Sequence, residues 1–280
     1  MIVETKKKLI FDRIAKLKEK NFSIGFVPTM GALHQGHLSL IETSNKQNQY
    51  TVVSIFVNPT QFNDPEDFKK YPRNINDDLK KIEEVGCDFV FTPSPEEMYP
   101  ETDIRQFDIG FLAEVMEGKY RPGHFNGVLQ IVSKLFDCIP ATKAYFGEKD
   151  FQQLAIIKWF VKTFSYNIEI IPCPTVREAD GLAMSSRNLL LSVDERKIAP
   201  FIYDTLKKVN VLKNYHSVAD VKNWVLNELI KYQQFKPEYF EIAFEENLIP
   251  VNDWSEFGTK RAFIATWLGK VRLIDNIKIE

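Results

Sequence analysis

Short apolar stretches rich in β-branched and aromatic residues alternate with helical patterns over roughly the first 175 residues. "SIGFV" (23–27), "TVVSIFV" (51–57), "DFVF" (88–91), "KAYFG" (143–147) and "IEIIP" (168–172) read as strands. Between them lie helical patterns at 6–20, 74–86, 126–138 and 151–164. In the first, Leu9, Ile10, Ile14 and Leu17 recur at helical spacing among lysines, and Asn21 is a stop signal. In the second, Ile75, Leu79, Ile82 and Val85 share a face, and Gly86 is the expected C-terminal cap. Nearly continuous apolar strands separated by helices predict an α/β fold, with a parallel sheet covered on both faces.

Beyond about residue 175 the pattern changes. Helical stretches at 194–213 and 217–232 precede "PEYFEIAF" and "RAFIATWLG", which predicts a second, smaller α+β C-terminal domain. The expected division is therefore 1–174 and 175–280.

Composition narrows the function. The 280 residues are 44% hydrophobic and 26% charged, with a net charge of −2, so no global field draws in nucleic acid or an anionic membrane. Phosphate chemistry has to be local. Cys87, Cys138 and Cys173 are odd in number, widely spaced and set among apolar residues, which predicts buried free thiols rather than disulfides or a zinc ribbon. With no uninterrupted apolar segment at the N-terminus and none of transmembrane length, the expected location is the cytoplasm.

Only four histidines are present, and two bracket Gly36 in "FVPTMGALHQGHLSL" (26–40), where a strand passes to a helix. A helix N-terminus beyond the carboxyl end of a parallel strand favours anions through its dipole and unpaired N–H groups. The glycine lets an anion approach the backbone, and His34 and His37 add donors that strengthen as phosphate charge builds. Zinc would need a third nearby ligand, which is absent from this stretch. The competing reading is structural: His34 caps the helix and His37 is a satisfied side chain.

Other strand ends are also polar. "AYFGEKDFQQ" (144–153) places Gly147, Lys149 and Asp150 before a helix. Asp150 with Gln153 would make a capping-box-like pair. Lys149 is a cation at the positive end of that helix, a conflict that an anionic ligand removes. "VREADGLAMSSRN" (176–188) carries Ser185, Ser186 and Arg187, which either cap the next turn or grip a polyphosphate. Gln61 follows the second strand, and "GKYRPGHFNG" (118–127) offers Lys119, Arg121 and His124. Asp77 and Asp78 are within reach of Mg²⁺ in principle, although helix-face solvation explains them more simply.

Taken in order, "VPTMGALHQGH", "VSIFVNPTQF", "DFKKYPR", "GKYRPGHFNGV", "AYFGEKDFQQL" and "PTVREADGLAMSSRN" resemble the pantothenate synthetase (pantoate–β-alanine ligase) family over roughly residues 22–192. The resemblance implies an H-x-G-H nucleotidylyltransferase with a Rossmann-like, doubly wound sheet and a C-terminal lid. It also implies a two-step reaction. (R)-Pantoate and ATP give bound pantoyl adenylate and pyrophosphate, and β-alanine then yields pantothenate and AMP. The resemblance further implies ATP as a substrate accompanied by Mg²⁺, and a homodimer.

By the same resemblance Met30, Gly31, Ala32, Leu33, His34, Gln35, Gly36 and His37 line the ATP site, with His37 as proton donor. Gly147, Glu148, Lys149 and Asp150 meet ATP, Val176 meets adenine through its backbone, and Met184, Ser185, Ser186 and Arg187 meet the phosphates. Gln61 and Gln153 hold pantoate. His34, His37, Lys149 and Arg187 are the implied catalytic set. Lys81 stands where the family offers a glutamine, which argues against a protein-held Mg²⁺. Two rivals remain at this stage: a nucleotidylyltransferase that stops at its nucleotidyl product, and a nucleotide-sensing module without turnover.

Overall fold

The β-branched, apolar strands pair as their composition demands. The computed structural model describes residues 1–69 and 71–280. Strands β1 (Ile2–Glu4), β2 (Ile24–Thr29), β3 (Tyr50–Ile55), β4 (Phe89–Phe91), β5 (Lys143–Gly147) and β6 (Glu169–Cys173) form one six-stranded sheet in the order β1-β4-β3-β2-β5-β6. All its pairings are parallel. Helices α1 (Lys7–Glu19), α2 (Gln35–Gln47), α3 (Ile75–Val85), α4 (His124–Cys138) and α5 (Phe151–Thr163) intervene.

Alternation along β2 shows both faces covered. Val27 packs with Leu40, Ile41, Ile82 and Val90 on the α2/α3 side, whereas the ring of Phe26 meets that of Phe136 of α4 edge-on at 6.3 Å. Chain order reverses across β2: β3 lies on one side and β5 on the other. That is the switch point at which α/β sheets bind ligands, beyond the strand carboxyl ends. The chain leaves β2 at Thr29 and β5 at Gly147 there.

The chain divides into two compact units, Met1–Glu148 with Ile156–Pro174, and Lys149–Ala155 with Thr175–Glu280. The second unit holds an antiparallel sheet of β7 (Phe235–Phe244), β8 (Lys260–Leu268) and β9 (Val271–Ile279). Helices α6 (Phe201–Leu212) and α7 (Val218–Leu229) bury Ile202, Leu206, Val221 and Val225 in its core.

Several local expectations are corrected. The single helix expected over 194–213 is two, Val193–Ile198 and Phe201–Leu212, with Ala199 and Pro200 between them, since proline has no N–H to continue the ladder. Strands β1 and β9 have no counterpart in the sequence reading. Ile75 is 42% exposed rather than part of the buried face of α3. All three cysteines are free and burial pushes their thiols up, Cys87 and Cys138 to about 12, but Cys87 is only half-buried.

Candidate active site

His34 sits in extended backbone as the N-cap of α2, and its Nδ1 accepts the Gly36 N–H at 3.1 Å. His37 returns the contact: its Nδ1 accepts the His34 N–H at 3.3 Å, and the two ring centroids are 4.1 Å apart. An imidazole whose Nδ1 accepts carries its proton on Nε2. The two histidines are therefore a reciprocal cap whose ring protons sit on Nε2, so the structural reading of this motif holds. One expectation needs correction. The N–H groups of Gly36 and His37 are engaged within the turn, so recognition of an anion falls to the imidazoles more than to open backbone amides.

The loop before α2 is held in a shape few sequences adopt. Gly31 and Ala32 have positive φ (80° and 51°). The buried carboxylate of Asp78 on α3 accepts the N–H groups of Ala32 at 2.9 Å and Leu33 at 2.7 Å. Lys81 donates to the Leu33 carbonyl at 2.9 Å and pairs with Asp77 at 2.7 Å. A side chain on Gly31 would come within 2.8 Å of that same Asp78 carboxylate, which a glycine avoids. Asp78 is thus more than a solvated helix acid, and Lys81 holds Asp77 beside it. They belong to a clamp on the H-x-G-H loop, and among the described residues no group of three or more potential metal-binding side chains occurs.

Gln61 ends a 3₁₀ turn, Pro59–Gln61, after β3. Its amide nitrogen contacts Met30 Sδ at 3.0 Å, and its amide oxygen accepts from Asn58 Nδ2 at 3.0 Å. The Asn58 amide, buried to 1% exposure, also donates to the Gly127 carbonyl and accepts from the Tyr99 hydroxyl at 2.7 Å. Burial pushes the Tyr99 phenol up to about 12, so it stays a donor. His124 Nδ1 lies 2.8 Å from the Gln61 carbonyl oxygen. Gly127 lets α4 approach this turn: a Cβ there would stand 2.2 Å from the Thr60 carbonyl oxygen. Asn58, Tyr99, His124 and Gly127 therefore fix where Gln61 lies. Of these, the sequence reading singles out only His124, without a role. Arg121 pairs with Glu117 at 3.7 Å.

In the second unit, Lys149 and Asp150 complete a 3₁₀ turn, Glu148–Asp150, that runs into α5. The Asp150 carboxylate is half-exposed and pairs with Lys149 at 3.6 Å. The expected Asp150–Gln153 capping pair is not formed, because the 3₁₀ turn already extends the helix start past Asp150. Gln153 is half-buried. Residues 176–184 fold back on themselves: the Met184 N–H donates to the Val176 carbonyl, and Arg177 bridges Ala183. Ser185 Oγ accepts the Arg187 N–H at 3.2 Å, capping the Ser186–Leu190 turn. A hydroxyl that accepts this bond keeps its own proton for a ligand. Glu178 and Asp180 both pair with Arg196 at 2.6 Å, which holds the Asp180 carboxyl below its ordinary value.

A doubly wound parallel sheet with a histidine-capped helix at its switch point defines a Rossmann-like nucleotide-binding protein of the H-x-G-H kind. Comparison with known proteins then narrows the class. The profile of the pantoate-beta-alanine ligase family matches residues 2–278, and the chain belongs to that family. Pantothenate synthetase of Azobacteroides pseudotrichonymphae is 50% identical over 265 residues, covering 94% of this chain and 95% of the relative. That of Phocaeicola vulgatus is 50% identical, covering 99% and 98%. The crystal structure of pantothenate synthetase from Thermus thermophilus superposes with a TM-score of 0.92 at 38% identity, covering 100% of this chain and 99% of that one. The pantoate-beta-alanine ligase from Francisella tularensis, complexed with beta-gamma ATP and beta-alanine, gives a TM-score of 0.83 at 37% identity, covering 99% and 97%.

Proposed function

We propose that this chain joins (R)-pantoate to β-alanine, cleaving ATP to AMP and pyrophosphate by way of a bound pantoyl adenylate. The observation that carries the reading is the reciprocal cap, which turns both imidazoles of the H-x-G-H motif into Nε2–H donors. Family membership and the ATP and beta-alanine complex of the Francisella relative support it.

In the first step a pantoate carboxylate oxygen attacks the α-phosphorus and pyrophosphate leaves. Charge grows on phosphate oxygens, which is where preorganised donors act most strongly. His37 and His34 supply them, and Lys149, Ser185, Ser186 and Arg187 bind the triphosphate. Met30–His37, Gly147–Asp150 and Met184 line the nucleotide, and Val176 meets adenine through its backbone. Gln61 and Gln153 take pantoate's hydroxyl and carboxylate groups. In the second step the β-alanine amine attacks the acyl carbon and AMP departs.

Residues 1–174 serve ATP and pantoate in this reading, and 175–280 act as a lid that keeps water from the mixed anhydride. Magnesium would be held by the phosphates of ATP and by water, since the clamp described above occupies Asp77 and Asp78. No helix among the described residues is long and apolar enough to cross a membrane; the site of action in this reading is the cytoplasm. The homodimer is tested by light scattering. The function itself is tested by supplying ATP and pantoate with or without β-alanine: AMP and pantothenate should accumulate together, and only when all three are present.

A further inference from the structure

Two segments assigned to the phosphates of ATP, the Lys149 turn and the loop bearing Ser185–Arg187, lie far apart in sequence. In the second unit each is tied to one of two consecutive residues of β9. The Asp275 carboxylate takes the Arg177 guanidinium in a two-pronged contact, at 2.6 and 2.9 Å. Arg177 also donates to the Gly181 carbonyl and stacks on the Tyr203 ring at 3.7 Å, so it locks the base of the 176–187 loop. The next residue, Asn276, donates from Nδ2 to the Lys149 carbonyl at 2.9 Å and accepts from Arg261 on its Oδ1. Arg261 in turn lies over the Phe151 ring at 4.1 Å, immediately beyond the Lys149 turn.

Both β9 residues are nearly fully buried, at 5% and 3% exposure. Consecutive strand residues point to opposite faces. One dipeptide therefore grips one phosphate segment from each face of the sheet, with attachment points a single Cα–Cα step apart, ~3.8 Å. Burying so polar a pair is costly unless every partner is supplied. Two of those partners, the Arg177 guanidinium and the Lys149 carbonyl, belong to the segments assigned to ATP; Arg261 of β8 is the third, and Arg177 also donates to the Asn276 carbonyl.

We propose that Asp275 and Asn276 are positioning residues for adenylation, setting Lys149 and the Ser185–Arg187 loop at a fixed spacing; this rests on the assignment of those two segments to ATP. Misplacing a reacting group by about 1 Å costs up to ~10²-fold in rate. The effect should therefore appear in the nucleotide half-reaction and spare pantoate binding.

The test uses the full chain. Asn276→Asp keeps the acceptor for Arg261 and removes the donor to the Lys149 carbonyl. Single-turnover pyrophosphate release should fall at least ~10-fold with the pantoate KM within about twofold of the parent. In a Lys149→Ala background the same change should add little, because both act through one group. A release rate within about twofold of the parent, or a fully additive loss, overturns the proposal. If Lys149→Ala alone leaves adenylation intact, the assignment of Lys149 fails and takes the proposal with it. That result is distinguishable from an inactive Lys149 variant beside an unaffected Asn276→Asp. Should Asn276→Asp melt below the assay temperature, Asp275→Asn in an Arg187→Ala background is read by the same criteria.

Discussion

The Asp78 carboxylate accepts the Leu33 N–H at 2.7 Å across 45 residues of chain. This contact makes the H-x-G-H loop a rigid object rather than a flexible turn. With Ala32 bound to the other carboxylate oxygen and Lys81 on the Leu33 carbonyl, the backbone entering α2 is fixed before either histidine is considered. Preorganisation of this kind lets a donor act on a transition state without moving.

Asp78→Ala should therefore cost both stability and activity. It leaves two N–H groups without their charged acceptor, at about 2–3 kcal/mol, and frees Gly31 and Ala32 to leave positive φ. Urea unfolding should show the loss, and adenylation should fall with it. A variant as stable as the parent would show that the carboxylate does not bear on the loop.

The two histidines should separate. His37→Ala removes a donor at developing charge and should slow adenylation by ~10²–10³ with little change in ATP binding. His34→Ala also removes the α2 cap and should lower stability by about 1 kcal/mol. Rapid-quench pyrophosphate release and thermal melts on both variants check this. His37→Ala breaks the other, longer half of the reciprocal cap and should cost less stability, so a larger loss there than in His34→Ala would assign the capping differently.

At the α5 start the expectation follows the structure rather than the motif. Asp150 caps nothing in this turn, so Asp150→Ala should change stability by less than ~0.5 kcal/mol. Lys149→Ala removes a cation from a helix N-terminus and should leave the melting temperature unchanged or slightly raised while adenylation falls sharply. A marked stability loss at Asp150 would restore the capping reading.

Much of this site could be read from the sequence because its parts are local. A strand, a glycine between two histidines and a helix lie within 24–47, and the same order of polar strand ends recurs at Gln61 and Gly147. What stayed hidden depends on contacts between distant segments. Asp78 resembles any first-turn helix acid until α3 is packed against the 31–33 loop. Asp275 and Asn276 lie in a strand that the sequence reading does not register, because "VRLIDNIKI" alternates apolar and polar residues only in part, with the adjacent Asp275 and Asn276 both buried. Asp150 misled for the opposite reason. Its spacing to Gln153 fits a capping box, and a 3₁₀ turn pre-empted the cap.

Acid should weaken the fold through Asp103. Its carboxylate is bound by Arg105 and Lys134, and these hold it well below the ordinary carboxylate range. The unfolded value is near ~3.9, so the folded state binds fewer protons and this stability is present above about pH 4 and lost as pH falls below it. Melting temperatures taken from about pH 5 to about pH 3 should drop, and Asp103→Asn should be less stable at neutral pH with a shallower acid limb. Identical slopes for the two proteins would remove Asp103 from the account.

The central claim is that adenylation and amine attack are separate steps at one protected site. Pyrophosphate release from ATP and pantoate without β-alanine tests it most directly. The account predicts a burst of about one pyrophosphate per chain, then near silence, with acyl adenylate recovered on the protein until β-alanine is added. Continuous release without the amine, or no release until it arrives, would contradict it.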